Sequence, residues 1–226
     1  MMIEIPNLLT PEELKLCRDR LAAAAWTDGR ATAGTRGALV KRNLQLAEDS
    51  AEANELAQIV MRALQRNQLV VATAFPHSMT RPAFSRYEPG MTYGFHNDAA
   101  IMPMPRTPRT IRADVAGTLF LSEPDEYDGG ELQIEDSVGS GGAKLPAGHL
   151  LLYPANTTHR VAPVTRGARH VSFFWIQSMV RNETHRRLLF DIDRSLAELN
   201  RAVPDHPALS RISSVYHNCL RIWGEL

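Results

Sequence analysis

Residues 115–176 read VAGTLFLSEPDEYDGGELQIEDSVGSGGAKLPAGHLLLYPANTTHRVAPVTRGARHVSFFWI, and their texture decides the fold. Short apolar or alternating runs at 115–121, 131–134, 149–153 and 168–176 are separated by turn residues at Asp128-Gly129-Gly130, 139–142, 146–148 and Arg166-Gly167. Branched and aromatic side chains pack well on a pleated surface, whereas glycine, proline and aspartate interrupt it. Upstream, the runs 83–87 and 91–95, broken by Pro89-Gly90, carry the pattern back toward Phe75. Several short strands at this spacing predict an antiparallel sandwich or barrel. The proline-rich run 101–109 is excluded as a central strand, because proline brings no N–H to the ladder, and it reads as a surface loop or lid.

Elsewhere the periodicity is helical. Thr10-Pro11-Glu12-Glu13 combines an N-cap hydroxyl, a proline at the first helical position and a glutamate at N3, a capping box. Leu14, Cys17, Leu21 and Ala24 follow at helical spacing. The Gly/Ala/Thr-rich stretch 29–37 reads as a loop. A second helix is expected over 51–65, with Leu56, Ile59, Val60, Ala63 and Leu64 on one face. After Asn182, one stripe comprises Leu188, Leu189, Ile192, Leu196 and Leu199, and another Leu209, Ile212, Val215, Cys219 and Trp223, divided at Asp205-His206-Pro207. These predict a helical pair covering the β-domain or meeting a second subunit, so a homo-oligomer stays open.

The 226 residues carry 25 Lys+Arg and 25 Asp+Glu, a formal net charge of zero, which argues against a dedicated nucleic-acid binder. No stretch approaches the ~20 apolar residues needed to span a bilayer, and the first residues lack the basic and apolar regions of a secretory signal. Cys17 and Cys219 lie far apart and outside metal-ligand spacing, and read as reduced thiols of a cytoplasmic protein.

The chemistry begins at Tyr87-Glu-Pro-Gly90-Met-Thr-Tyr93-Gly-Phe-His96-Asn-Asp98. Residues two apart in extended chain project to one side, so His96 and Asp98 are placed to grip one metal. Imidazole and carboxylate are two members of the facial triad that suits oxygen-activating iron(II), and the third is expected from another strand. A lone His-x-Asp is a weak signal. Tyr153-Pro-Ala-Asn-Thr-Thr-His159 supplies a histidine just after an apolar strand. Arg169 then opens the most apolar strand of the chain, where a buried guanidinium is costly without an anion. A dicarboxylate co-substrate supplies one, since arginine's planar fork matches a carboxylate.

The order His-x-Asp, histidine, arginine resembles the 2-oxoglutarate/iron(II) dioxygenases of the prolyl hydroxylase type. Gly-Thr-Leu-Phe-Leu-Ser122, Asp-Gly-Gly-Glu-Leu132 and Leu-Pro-Ala-Gly-His149 resemble the bacterial PKHD-type hydroxylases, a group associated with iron uptake, and the likeness spans nearly the whole chain. The resemblance implies an α+β protein with a double-stranded β-helix (jelly-roll) core, N-terminal helices and a C-terminal helical extension. It divides the chain into 1–180, the dioxygenase domain, and 181–226, the extension. It assigns His96, Asp98 and His159 to Fe(2+) and Arg169 to the distal carboxylate of 2-oxoglutarate. Tyr87 and Tyr93 are its candidates for lining the same pocket. A tyrosine that relatives carry on the strand reading Thr118-Leu-Phe-Leu121 is absent here, leaving the second partner of that carboxylate open. L-ascorbate dependence and molecular oxygen come with the family. The substrate is implied only as a small molecule or peptide: amino-acid-like or siderophore-related.

His77, His149, His170, His185, His206 and His217 read as surface or core residues, and His170 should face away from Arg169. Asp114 and Asp128 lack a histidine at strand spacing, and the glycines of 139–142 lack the Lys-Ser/Thr of a phosphate loop. Arg81, Arg86, Arg106, Arg109 and Arg112 read first as solvated surface. A basic rim drawing an acidic substrate is the sharper alternative. Two rival functions are a non-catalytic jelly-roll metal-binding or iron-sensing module, against which Arg169 argues, and a metal-dependent cupin-type isomerase.

Overall fold

The structure is a computed structural model describing residues 1–104, 107–136 and 139–225, with the backbone alone at 136 and 139–141. Strand β1 (Ile3–Ile5) leads into helix α1 (Pro11–Ala23), β2 (Trp26–Asp28), a 3-10 turn (Gly29–Thr32), α2 (Thr35–Val40), β3 (Lys41–Arg42), β4 (Leu44–Leu46), α3 (Ala51–Arg66) and α4 (Gln68–Ala74). Then come β5 (Pro76–Met79), β6 (Ala83–Tyr87), β7 (Thr92–His96), β8 (Ile101–Pro103), β9 (Thr110–Arg112), β10 (Val115–Phe120), β11 (Tyr127–Gly129), β12 (Leu132–Asp136) and β13 (Gly139–Ala143). The chain continues through β14 (Leu150–Pro154), β15 (His159–Val161), β16 (Val164–Gly167) and β17 (Arg169–Ser178), and ends with α5 (Glu183–Ala202) and α6 (Ala208–Trp223).

Two antiparallel sheets face each other. The larger runs β1-β14-β10-β17-β6-β4-β2, with β5 also on β17, and the smaller runs β13-β12-β15-β7-β3. Together they make the expected jelly roll within an α+β protein.

The larger sheet is covered on both faces, and the alternation of side chains feeds two cores. Val115, Leu119, Leu150, Leu152, Phe174 and Ile176 pack against Leu56, Val60 and Leu64 of α3 and Cys17 and Leu21 of α1. Ala116, Phe120, Leu151, Tyr153 and Val171 point the other way, toward Leu132, Ile134 and Val161 of the smaller sheet. Truncating one fully buried leucine such as Leu119 to alanine would cost about 2–5 kcal/mol.

Two local signals act as read: Thr10 accepts from Glu13 N while Glu13 caps the Thr10 backbone, and Ser50 caps α3 by accepting from Ala53 N.

Three expectations need correction. The stretch 29–37 is not a loop throughout: its tertiary partner Asn43 accepts from Gly29 N at 2.9 Å, and it folds into the 3-10 turn and the start of α2. The run 101–109 begins with β8, which pairs with β9 in a two-stranded ribbon outside both main sheets. Pro103 is tolerated there as an edge residue. Residues 139–142 lie within β13, an edge strand on β12. At the carboxyl end, α5 and α6 pack on each other and on the end of α4, with Phe75, Val180 and Leu189 buried between them. Cys17 and Cys219 are both free thiols.

Candidate active site

His96 ends β7 and His159 begins β15, and the two strands pair with His159 opposite His96 and Val161 opposite Tyr93. Three steps along β7 therefore match two along β15, so β7 carries an extra residue at Gly94-Phe95. In a regular strand Tyr93 and His96, an odd number apart, would face opposite sides. The bulge re-aims His96 to the Tyr93 side, and the two rings stack at 3.5 Å. Glycine at 94 suits the crowding, since a Cβ there would sit 2.9 Å from Val40 Cβ.

Asp98 follows two residues on. Ligand atoms of His96, Asp98 and His159 all lie within 4.8 Å of one another, with His159 Nε2 3.8 Å from Asp98 Oδ1. That spread marks the three as a group able to hold one metal ion.

Both histidines are held in the state a metal needs. His96 Nδ1 lies 2.8 Å from the Gly94 carbonyl and His159 Nδ1 3.0 Å from that of Thr157. A carbonyl only accepts, so each Nδ1 carries the proton and each Nε2 keeps its lone pair toward the shared centre. Burial, with the His159 charge second, brings His96 down to about 4, so it stays neutral. Burial raises Asp98, opposed by His159 and by a hydrogen bond from Trp175. Trp175 Nε1 donates to Asp98 Oδ2 at 2.8 Å. The donor set and its outer hydrogen bonds fit a divalent iron.

Arg169 sits on the inner face of β17 and is 1% exposed. Its Nε and Nη2 are buried and meet no hydrogen-bond partner among the described residues. The guanidinium lies 5.3 Å from the Tyr87 ring centre and 5.4 Å from that of Phe120. The buried Tyr127 hydroxyl borders it. A cation enclosed in this way fits a dicarboxylate. His170 faces away, as expected, and approaches Ser122 Oγ at 3.2 Å.

Tyr87 therefore lines the Arg169 end and Tyr93 the His96 end. The rival carboxylates are engaged elsewhere, Asp114 with Arg112 at 2.7 Å and Asp128 with Arg166 at 2.7 Å. Arg86 pairs with Glu88 at 2.5 Å, so Arg86 and Arg112 are not free members of a basic rim. Arg106 lies outside the described residues.

Three residues near the site were not singled out from the sequence. Trp175 had a readable signal, an even spacing from Arg169 on one strand. Tyr127 and Lys41, which is 5% exposed near Asp98, had none.

A jelly roll holding two imidazoles, one carboxylate and a buried guanidinium has the equipment of a 2-oxoglutarate-dependent iron(II) dioxygenase. Residues 82–177 match the 2OG-Fe(II) oxygenase superfamily and residues 183–225 the PKHD-type hydroxylase C-terminal domain. PKHD-type hydroxylases of Gluconobacter oxydans (strain 621H) and Burkholderia ambifaria (strain MC40-6) are each 52% identical over 227 residues, covering 100% of both chains. The chain belongs to the PKHD-type hydroxylases, and is an oxidoreductase using iron(II) and 2-oxoglutarate, with the ascorbate dependence typical of the family. Its fold is similar to that of a Pseudomonas putida prolyl-4-hydroxylase, with a TM-score of 0.56 at 18% identity over 78% of this chain and 92% of that one. HygX from Streptomyces hygroscopicus, solved with nickel and 2-oxoglutarate bound, aligns with a TM-score of 0.53 at 13% identity over 78% and 82%. Among the described residues no helix is long and apolar enough to cross a membrane.

Proposed function

We propose that His96, Asp98 and His159 hold the iron and that Arg169 holds the far carboxylate of 2-oxoglutarate, with Tyr87 and Tyr93 lining the pocket. The observation that carries this reading is the convergence of three ligand atoms within 4.8 Å, with both imidazole Nδ1 atoms facing backbone carbonyls.

When bound, iron(II) and 2-oxoglutarate activate dioxygen: one oxygen atom enters succinate as the keto acid loses carbon dioxide, and the other enters a C–H bond of the substrate. The chain's own residues supply geometry and exclude water. Trp175 fixes the rotation of the Asp98 carboxylate through Nε1. Arg169 receives the far carboxylate, its unused N–H groups matching the two oxygens. The Tyr127 hydroxyl stands beside it as the second donor, in place of the tyrosine missing from β10. Phe120 and Tyr87 wall the guanidinium and keep solvent from the charge pair.

The substrate reading is an amino-acid-like, peptide or siderophore-related molecule, with a link to iron homeostasis. Residues 1–180 would form the catalytic unit and 181–226 its helical extension, which accords with the separate small core around Leu189. Two free cysteines suit a cytoplasmic location.

The test is succinate release from 2-oxoglutarate in air with iron(II) and ascorbate. The parent protein is expected to release it and Asp98→Ala to release none. Turnover by Asp98→Ala at the parent rate would remove the assignment.

A further inference from the structure

Lys41 belongs neither to the iron donor set nor to the Arg169 pocket, yet it is buried beside the first of them. It opens β3, which pairs with β7 so that Lys41 stands opposite Tyr93, and opposed residues share a face. Its Nζ lies 5.3 Å from the Tyr93 ring centre, the ring that stacks on His96. Its charge acts on both His96 and Asp98.

An ammonium has three N–H groups to satisfy. Lys41 Nζ donates to Thr32 Oγ1 at 2.9 Å. The carboxylates it senses, Asp28 and Asp98, act through space without a hydrogen bond, and Asp28 is itself gripped by Arg30 at 2.5 Å. Beyond Thr32 the wall is neutral. Thr32 Oγ1 meets Gln45 Oε1 at 2.5 Å, and Gln45 and Asn43 both donate to Ser85 Oγ, at 3.2 and 3.1 Å. Among the described residues no carboxylate pairs with Lys41, and an enclosed cation of this kind is costly until an anion arrives.

Charge balance says which anion. With iron(II) and 2-oxoglutarate in place, Asp98 and the dicarboxylate offset the metal and Arg169, and the positive charge left over is that of Lys41. We propose that Lys41 anchors a carboxylate of the molecule that is hydroxylated, so that the substrate is a carboxylic acid held by its charge next to the iron. This rests on the dioxygenase reading of the site. It moves acid recognition from the arginines of the suggested rim, where Arg86 and Arg112 are ion-paired, to one interior cation.

The chain has three lysines, Lys15, Lys41 and Lys144, so acetylation of each by acetic anhydride is resolved by mass spectrometry. The probe is acetate, with acetamide as its uncharged match, added to full-length protein loaded with zinc and 2-oxoglutarate. Acetate is expected to slow acetylation of Lys41 about tenfold, the worth of one charge-assisted hydrogen bond, leaving Lys15 unaffected and with no effect of acetamide. Fluorine NMR of trifluoroacetate gives a second readout: line broadening persists in Lys41→Arg and disappears in Lys41→Met.

If 2-oxoglutarate alone shields Lys41 fully, the lysine serves the co-substrate. If acetate shields nothing, it is a structural cation. Either result overturns the inference while leaving the iron site intact. Failure of zinc and 2-oxoglutarate to bind the parent protein would take down the site reading and this inference with it.

Discussion

Replacing Trp175 with phenylalanine removes the indole N–H together with part of the ring. Trp175 Nε1 donates to Asp98 Oδ2 at 2.8 Å, and its ring packs edge-on against Phe173 at 5.6 Å, a contact phenylalanine keeps. The Asp98 side chain is 8% exposed, so water is poorly placed to replace the lost donor. A hydrogen bond to a charged group contributes about 1.5–3 kcal/mol. Outer-sphere partners of metal ligands typically account for about 10–100-fold in affinity. Trp175→Phe should therefore weaken divalent-metal binding about 10–100-fold while leaving the fold intact. Calorimetric titration with zinc, which avoids iron oxidation, measures the affinity, and circular dichroism checks the fold. Metal affinity within about threefold of the parent would refute an Asp98 held for metal by Trp175.

Arg169→Met should leave the ligand-free protein as stable or more stable, since it deletes a buried charge with no ion pair among the described residues. It should also abolish the stabilisation of about 2.7 kcal/mol that 2-oxoglutarate at 100 times its Kd gives the parent in thermal melts. Tyr127→Phe should raise the half-saturating 2-oxoglutarate concentration about tenfold with unchanged zinc affinity, and equal half-saturation would remove Tyr127 from the pocket. His170 supplies a pH prediction. Burial, with Arg86 next, holds it to about 4, below the usual 6.5. The unfolded chain takes up the proton first, so stability is full above about pH 6.5 and falls toward pH 4, by up to about 3 kcal/mol. His170→Gln should flatten that part of the urea-midpoint profile, and an identical acid loss in both proteins would clear His170.

The two-faced burial of the large sheet explains what was readable in the sequence. Leu150, Leu151, Leu152 and Tyr153 show no alternation because odd and even positions feed different cores. A continuous apolar run bounded by turn residues was therefore enough to place β14. The strands β2, β3 and β4 gave no such signal. They are two or three residues long and are held by register on neighbours: Leu44 against Arg86, Lys41 against Tyr93. The information that makes them strands lies in β6 and β7, and so does the reason that Lys41 faces inward.

The donor set was readable as residue types and not as geometry. His-x-Asp is common, and a later histidine is commoner still. Gly94 reads in the sequence as a weak point in a strand, with no trace of the bulge that turns His96 to the inner face. Pairing decides the rest. His159 stands opposite His96, and a slip of one residue between β15 and β7 would send the His159 side chain to the outer face. The donors would then be two, with Asp98 buried and unmatched at the cost burial imposes on a lone carboxylate. The register that brings the three candidate ligands together is thus the same register that lets the smaller sheet bury Leu132, Ile134 and Val161 against the larger one, and hydrophobic burial favours it without any metal.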